Sequence, residues 1–167
     1  MIEKDDVIPV KLDPVDLRIL DQLQRDASLS NLELAAATRT SPATCLRRVK
    51  RLVASGVIER RVAILDPDRL GRALTAIAEV GLDHQGAEHL AAFEARALAC
   101  AEVRQCYRVS PGPDLILVLE VADMAAWHAL VQTLFTQDAN VRNVKTFFSV
   151  HRARFDPRVL LPAVSNV

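Results

Sequence analysis

The fold is decided by residues 41–52, SPATCLRRVKRL, which predict a capped helix with one apolar side and several cations. Ser41 suits the N-cap, Pro42 suits the first helical position, where a missing N–H costs nothing, and Gly56 suits the left-handed residue past the end. The positions that recur at helical spacing and should pack inward are Cys45, Val49, Leu52 and Val53. The side chains expected to point away from this stripe are Thr44, Arg47, Arg48 and Arg51.

A shorter helix is predicted just upstream, over residues 31–37. Ser30 and Glu33 match a capping box, and Leu29 and Leu34 match a hydrophobic staple. A short helix, a turn of three or four residues and a basic second helix are typical of a helix-turn-helix, whose second helix enters the major groove of DNA. A lone basic helix is more often a solvated face, so this preceding helix is what favours nucleic-acid binding.

A third helix is predicted to start at Asp13-Pro14-Val15-Asp16. The positions that keep one face of it for a core are Asp16, Ile19, Leu20, Leu23 and Ala27. Three such helices make a small, self-sufficient domain.

Composition sets the outer limits. The chain has 167 residues, with 50% hydrophobic and 25% charged, which is ordinary for a globular protein with one large or two small domains. We find no apolar run of membrane-spanning length and no signal-peptide pattern in residues 1–6, and we therefore expect a cytoplasmic protein.

Three cysteines without a CxxC pair, and scattered histidines, argue against a disulfide framework, a metal site or a cofactor. We expect buried, reduced thiols, with redox sensing as the alternative for Cys100 and Cys106.

The net charge of zero hides a separation of charge along the chain. Residues 39–61 hold seven cations and one anion, whereas residues 74–150 hold five cations and nine anions. Charge segregated in this way directs a phosphate backbone to one part of the protein. It also favours two domains.

The second half of the chain predicts a ferredoxin-like βαββαβ domain. Its strands are expected over residues 74–82, 103–110, 114–121 and 144–150. Its helices are expected over residues 86–99, packing Leu90, Phe93 and Ala97, and after Asp123, burying Trp127, Leu130, Val131 and Leu134. Residues 57–65 alternate well enough to predict a strand in the connection between the domains.

Apolar residues are predicted on both faces of that sheet. Leu115, Leu117 and Leu119 would point one way, and Ile116, Val118 and Val121 wholly or partly the other way. Phe147 and Phe148 would also take opposite faces. Helices can cover one face only, and a large uncovered apolar face predicts a partner subunit and hence a homodimer.

The chain resembles the leucine-responsive and asparagine-responsive bacterial regulators, the Lrp/AsnC family. The resemblance covers nearly the whole chain. In the first half it rests on Leu12-Asp13-Pro14-Val15-Asp16 followed by Ile19-Leu20 and Leu23, and on Glu33-Leu34-Ala35, Ser41, Arg48-Val49-Lys50-Arg51-Leu52 and Gly56-Val57-Ile58. In the linker and the second half it rests on Ala63, Leu65-Asp66-Pro67, Leu70-Gly71, Glu102-Val103, Cys106-Tyr107 and Asp114 at the start of a strand. It implies a transcription factor that binds double-stranded DNA, forms dimers and often octamers of four dimers, and binds small effectors, usually amino acids. The DNA-binding residues it implies, together with the charge pattern, are Arg39, Ser41, Thr44, Arg47, Arg48, Lys50 and Arg51.

The effector loop of this family normally reads glycine, two variable residues and aspartate; here that window is Pro111-Gly112-Pro113-Asp114. The effector residues implied are Ser110, Gly112 and Asp114. The leading proline supplies no N–H, and Asp114 as a structural turn residue competes with Asp114 as an effector contact. Arg39 stands where the family usually has glycine, and a positive φ there would cost roughly 1 kcal/mol.

The predicted fold class is thus α+β: a winged-helix-like helix-turn-helix domain joined by a strand linker to a ferredoxin-like domain. The expected segments are a weakly ordered N-terminus at 1–11, a DNA-binding domain at 12–58, a linker at 59–73, a ligand-binding and oligomerisation domain at 74–154 and a tail at 155–167. The alternative function is a small ferredoxin-like dimeric enzyme or metabolite-binding protein. An enzyme would need a nucleophile paired with a base, which the sequence does not present.

Overall fold

The computed structural model describes residues 10–66, 68–70 and 74–162. They form two compact units: a helical unit, with described residues 10–64 and 155–162, and a sheet unit, with described residues 65–66, 68–70 and 74–154. Residues 1–9, most of the predicted N-terminal segment, lie outside the described residues.

The helical unit has three helices, and each begins at the cap that the sequence predicts. α1 spans Pro14–Arg25, α2 spans Asn31–Ala37 and α3 spans Pro42–Ala54. Capping boxes close the starts of α1 and α2. In each, the N-cap side-chain oxygen accepts a bond from the N3 N–H, and the N3 carboxylate accepts one from the N-cap N–H. Gly56 follows α3 with φ of +74°, a conformation in which glycine avoids the steric cost of a Cβ.

The core of the helical unit lies where the three helices meet. The buried apolar residues are Ile19, Leu20, Leu34, Ala35, Cys45 and Leu52, with Val49 partly buried against them. Val53 was predicted to pack in this stripe, and that prediction is wrong, because its side chain is 50% exposed. Leu52 faces the core, and Val53 points outward because successive residues of a helix are about 100° apart around its axis.

The end of the chain contacts the helical unit. Gln24 on α1 accepts a bond from the Val159 N–H at 2.6 Å and donates one to the Val159 carbonyl at 3.2 Å. Leu161 packs against the core of the same unit. Val159 and Leu161, which belong to the tail expected at 155–167, are thus held by the helical unit.

Residues 57–66 connect the units, and no strand is assigned to them within the described part of the chain. The predicted strand is therefore wrong for the single chain. Val62 and Ile64 are two residues apart, as on one face of a strand, but both side chains are exposed. A strand requires a hydrogen-bonded neighbour as well as a pattern.

The sheet unit has the predicted βαββαβ order. Its strands are β1 (Leu74–Leu82), β2 (Val103–Arg108), β3 (Leu115–Val121) and β4 (Val141–Phe148). Its helices are α4 (Ala87–Ala99) and α5 (Met124–Val131), which continues as a π-helical turn over Gln132–Thr136. The strands pair antiparallel in the order β2-β3-β1-β4, which places β1 and β3 in the centre.

One face of the sheet is covered by both helices. Its central positions are Ala76, Ala78, Val80, Leu115, Leu117 and Leu119, which pack with Phe93 of α4 and Trp127 of α5. Val121 also lies on this face and is buried, so its predicted place on the opposite face is wrong. It is separated from Leu119 by one residue, and strand side chains alternate with a period of two.

The opposite face carries a stripe of apolar side chains with no helix over it, which we call the open face. Ile77 pairs with Val118 on one side and with Phe147 on the other, and Tyr107 pairs with Ile116. Phe148 lies on the covered face, where its ring meets that of Trp127 edge-on at 5.5 Å. The predicted division of Phe147 and Phe148 between the faces is confirmed.

Candidate nucleic-acid interface

The turn between α2 and α3 is fixed by hydrogen bonds rather than by glycine. The Thr38 hydroxyl, fully buried, donates to the Leu34 carbonyl at 2.7 Å. Arg18 of α1 donates from Nε to the Thr38 carbonyl at 3.2 Å. Arg39, at the position where the family usually has glycine, follows with φ of +54°, and its side chain is exposed. The bonds on both sides hold a backbone conformation that arginine alone would disfavour.

The start of α3 is bonded to itself and to α2. Ser41 accepts from the Thr44 N–H at 3.2 Å, and its hydroxyl donates to the Thr44 hydroxyl at 2.9 Å. The Asn31 side-chain amide, at the start of α2, donates to the Pro42 carbonyl at 2.9 Å. These bonds set the direction in which α3 leaves the turn, with its N-terminus at the surface.

Two of the predicted contact cations on α3 are exposed and unpaired. Arg47 and Lys50 are three residues apart, which puts them on one side of the helix. Neither makes an ion pair with any described residue, and the same is true of Arg39 in the turn. Arg39, Arg47 and Lys50 are thus cations whose charge the unit leaves uncompensated.

Arg48 and Arg51 have a different environment from the one we expected. The Arg48 side chain is only 18% exposed and bonds Asp13 at 2.6 Å and Asp16 at 2.9 Å. Arg51 forms an ion pair with the other oxygen of Asp16. The prediction that Arg48 points away from the protein is wrong, because two carboxylates at the start of α1 attract its guanidinium inward.

The electrostatics of this cluster follow from partial burial and pairing. Loss of solvent would raise the pKa of Asp13, but the Asp16 N–H and the Arg48 guanidinium together hold that pKa below its ordinary value. The same bonds, first to Asp13 and then to Asp16, raise the pKa of Arg48. Asp13 and Arg48 are therefore both charged across the physiological pH range.

Asp13 and Asp16 are the functional residues that sequence reasoning missed in this role. They were identified as the cap of α1 and as a core-facing position, but not as partners of α3. A signal was present, since the two carboxylates are one helical turn apart and so are Arg48 and Arg51. Matching spacing on two helices shows that they can pair, but not that they meet.

The implied effector residues lie in the connection between β2 and β3. Gly112 adopts a φ of +128°, with nothing within 4 Å of where a Cβ would be. A backbone conformation that favours glycine therefore occurs one residue after the position, Pro111, at which the family normally has its glycine. The Asp114 carboxylate accepts from the Leu82 N–H at 2.7 Å, and its own N–H donates to the Val80 carbonyl at 2.9 Å. Asp114 thus joins the end of β1 to the start of β3, while Ser110 and Gly112 are exposed.

The cysteines are poorly placed for redox chemistry. Burial raises the pKa of all three thiols, Cys45, Cys100 and Cys106, and nearby glutamates raise it further at Cys100 and Cys106. The thiolate is the reactive form, so these environments favour inert thiols.

The described part of the chain holds no helix long and apolar enough to cross a membrane.

A capped basic helix presented by a helix-turn-helix, joined to a ferredoxin-like unit, defines a two-domain transcriptional regulator. Family models agree on both parts: winged helix-turn-helix DNA-binding matches residues 12–59, and the Lrp/AsnC ligand binding domain matches residues 75–159. The chain belongs to the Lrp/AsnC family of DNA-binding transcriptional regulators.

Individual relatives support the same assignment. The chain is 36% identical over 148 residues to a leucine-responsive regulatory protein of Rhizobium meliloti, covering 89% of this chain and 95% of that one. It is 35% identical over 150 residues to an HTH-type transcriptional regulator of Haemophilus influenzae, covering 90% and 89%. An AsnC family regulator from Agrobacterium tumefaciens superposes with a TM-score of 0.82 at 29% identity, covering 89% and 97%.

A further structure extends the likeness to a liganded protein. It is a transcriptional regulator of Neisseria meningitidis in complex with L-Met, with a TM-score of 0.82 at 26% identity, covering 90% of this chain and 97% of that one. The relatives are regulators, which sets aside the alternative of a small enzyme.

Proposed function

We propose that a dimer of this chain places α3 of each subunit in the major groove of DNA. Thr44 would face the base edges, while Arg47 and Lys50, on one side of α3, would contact phosphates along the groove, together with Arg39, Ser41 and the free amides at the start of α3. The observation that carries the proposal is the state of the cations. Arg39, Arg47 and Lys50 have no anionic partner among the described residues. Arg39 lies in the turn before α3, and Arg47 and Lys50 lie on the exposed side of that helix.

The proposal assigns a different role to Arg48 and Arg51 from the one the sequence suggested. Both guanidiniums are occupied by carboxylates of α1, so their charge is neutralised locally. This leaves three cations for each subunit. A dimer would then make roughly six phosphate contacts, and log K should fall with log salt at a slope of about −5.

The test is fluorescence anisotropy of a labelled duplex from the region upstream of the gene, titrated with protein across a range of salt concentrations. We expect binding at low salt, the slope given above, and weaker binding for Arg47→Gln or Lys50→Gln. Asp21→Asn is the control, because this carboxylate of α1 forms an ion pair with Arg25 and, among the described residues, none with α3. A slope near zero, or loss of binding in the control alone, would contradict the proposal.

The proposed dimer forms through the open face of the sheet. Tyr107, Ile77 and Phe147 on that face are more than one-third exposed, and Ile116 and Val118 are half-buried between them. A contiguous apolar stripe of this kind is typical of a subunit interface. Light scattering coupled to gel filtration distinguishes the dimer from a monomer and from a tetramer of dimers.

An amino acid or a related metabolite is the proposed effector, bound beside residues 110–114. Support comes from the L-Met complex of the Neisseria meningitidis relative and from the glycine conformation at Gly112. A thermal-shift screen of amino acids tests this, because a ligand that binds only the folded state raises the melting temperature. We expect a hit whose shift is reduced in Asp114→Asn. A screen without any hit would contradict the proposal.

The proposed location is the cytoplasm, where the DNA target lies.

A further inference from the structure

The carboxylate of Asp16 is the centre of the contact between α1 and α3. Its side chain is fully buried, and its oxygens accept from Arg48 at 2.9 Å and from the Asp13 N–H at 3.0 Å, while Arg51 forms an ion pair with it. One side chain therefore closes the helical cap of α1 and holds two consecutive turns of α3. Among the described carboxylates of the helical unit, only Asp13 also bonds α3, and its one bond to that helix is to Arg48.

The two arginines differ in how firmly the cluster holds them. Arg48 is nearly buried and has two carboxylate partners, whereas the Arg51 side chain is 48% exposed and has Asp16 alone. Arg51 lies one turn beyond Arg47 and directly follows Lys50, so it is next to the proposed DNA side of α3. Without its partner, its long side chain would be free to turn toward a phosphate.

We propose that Asp16 is a specificity-determining residue that keeps Arg51 away from DNA. The proposal rests on the groove-facing role of α3 given above. An arginine on phosphate adds affinity for every sequence alike, since phosphate contacts carry no sequence information. By retaining Arg51, Asp16 limits this general attraction. By bonding two turns of α3, it also fixes the rotation of the helix and therefore which side chains meet the base edges.

The test compares the salt dependence of binding to a random-sequence 30-bp duplex and to duplexes that the wild-type chain enriches from a randomised pool. In Asp16→Asn we expect the slope on the random duplex to steepen by roughly 0.9 per subunit, one added phosphate contact. We also expect the ratio of affinities for enriched and random duplexes to fall. Asp21→Asn should change neither quantity.

A double variant assigns the effect to Arg51. In Asp16→Asn/Arg51→Gln the steeper slope should return to the wild-type value, because the released cation is absent. A folded Asp16→Asn protein with the wild-type slope and ratio overturns the proposal, and so does a double variant that keeps the steeper slope.

Single variants of α3 keep the proposal testable if Asp16→Asn does not fold. Arg51→Gln should leave the wild-type slope on the random duplex unchanged, whereas Arg47→Gln should lower it by roughly 0.9 per subunit. Equal losses in both variants would show Arg51 on phosphate and overturn this inference while leaving the DNA-binding proposal standing. No loss in Arg47→Gln would instead contradict the proposed DNA-facing side itself.

Discussion

The helical unit and the sheet unit each leave one face uncovered, and the two faces are opposite in character. On α3 the uncovered side carries Arg47 and Lys50, neither of which forms an ion pair with a described residue. On the sheet it carries Ile77, Val118 and Phe147 in one row. The first face remains favourable in water and attracts a polyanion, whereas the second is favourable only when another surface removes it from water.

The difference teaches how to interpret a surface cation. Four cations lie on α3, and their spacing alone gives no reason to separate them. The structure divides them into a paired set, Arg48 and Arg51, and an unpaired set, Arg47 and Lys50. Pairing with a buried carboxylate makes a cation part of the scaffold, because its removal leaves a buried charge.

The largest effect is expected at the open face. Ile77→Glu places a carboxylate in the middle of the apolar row, and an unpaired charge buried at an interface costs several kcal/mol. We expect the dimer dissociation constant to rise at least about 100-fold, equivalent to about 3 kcal/mol. Light scattering should show a monomer at micromolar protein.

The matched control is Leu98→Glu, the same change at an exposed leucine on α4. It should leave the dimer intact, since α4 lies on the covered side of the sheet. If both variants remain dimeric, the open face is not the interface and the contrast between the two units fails.

The second effect separates the paired and unpaired cations. Arg48→Ala removes one partner of the buried Asp16 and should destabilise the helical unit by about 3 kcal/mol, the lower end for such losses, since Arg51 remains. Arg47→Ala should change stability by less than about 0.5 kcal/mol.

The position of the chromophores makes this measurable. The single tryptophan, Trp127, and the single tyrosine, Tyr107, both lie in the sheet unit. Urea unfolding of Arg48→Ala followed by far-UV circular dichroism should therefore show an earlier transition, while Trp127 fluorescence reports an unchanged one. Equal stability of the two arginine variants would remove the distinction between scaffold and interface.

A third, smaller effect divides the two roles of Ser41. Ser41→Ala removes the cap of α3 and should cost about 1 kcal/mol. Ser41→Asp keeps a capping oxygen but adds a negative charge where phosphate is proposed to lie, so stability should be retained while DNA affinity falls. Thermal unfolding and anisotropy on the same samples check this; unchanged DNA affinity in Ser41→Asp would place phosphate elsewhere.

The smallest effect is a pH dependence. The pKa of Asp13 is lowered in the folded chain from its ordinary value of 3.8, so its charge stabilises the fold above that pH and the contribution is lost as pH falls through the folded pKa. Asp13→Asn keeps a capping side chain but lacks this titration. The gap in urea midpoint between the two proteins should be constant from pH 6 to 7 and shrink below about pH 4. A gap that widens in acid would contradict the sign.

Local chemistry explains why most elements were predictable. The caps at Ser30, Ser41 and Asp123 and the turn residue Gly56 act within a few residues of the chain, so the sequence around them contains the whole cause. The strands β1 and β3 were predictable for a similar reason: the apolar residues at every second position of β1 fit the period of a strand, and the short apolar run of β3 follows the turn residues Pro111-Gly112-Pro113.

Two of the failed predictions, the faces assigned to Val53 and Val121, misjudged a local period, and the others concern a partner distant in sequence. The alternation of residues 57–65 indicates a strand, but it does not show whether another strand lies beside these residues to pair with them. Arg48 is 32 residues from Asp16, and Gln24 is 135 residues from the carbonyl that it bonds. The sites were affected more than the fold, since a site is defined by which side chains meet.

By itself the sequence determined the class of this protein: the helix-turn-helix with its caps, the βαββαβ order, the separation of charge and the family. These follow from short-range preferences and from periodicities that one chain displays. Tertiary structure alone decided which cations of α3 are neutralised and which face of the sheet stays open. Both depend on distances across the fold, and Coulomb and hydrophobic energies are set by those distances rather than by position along the chain.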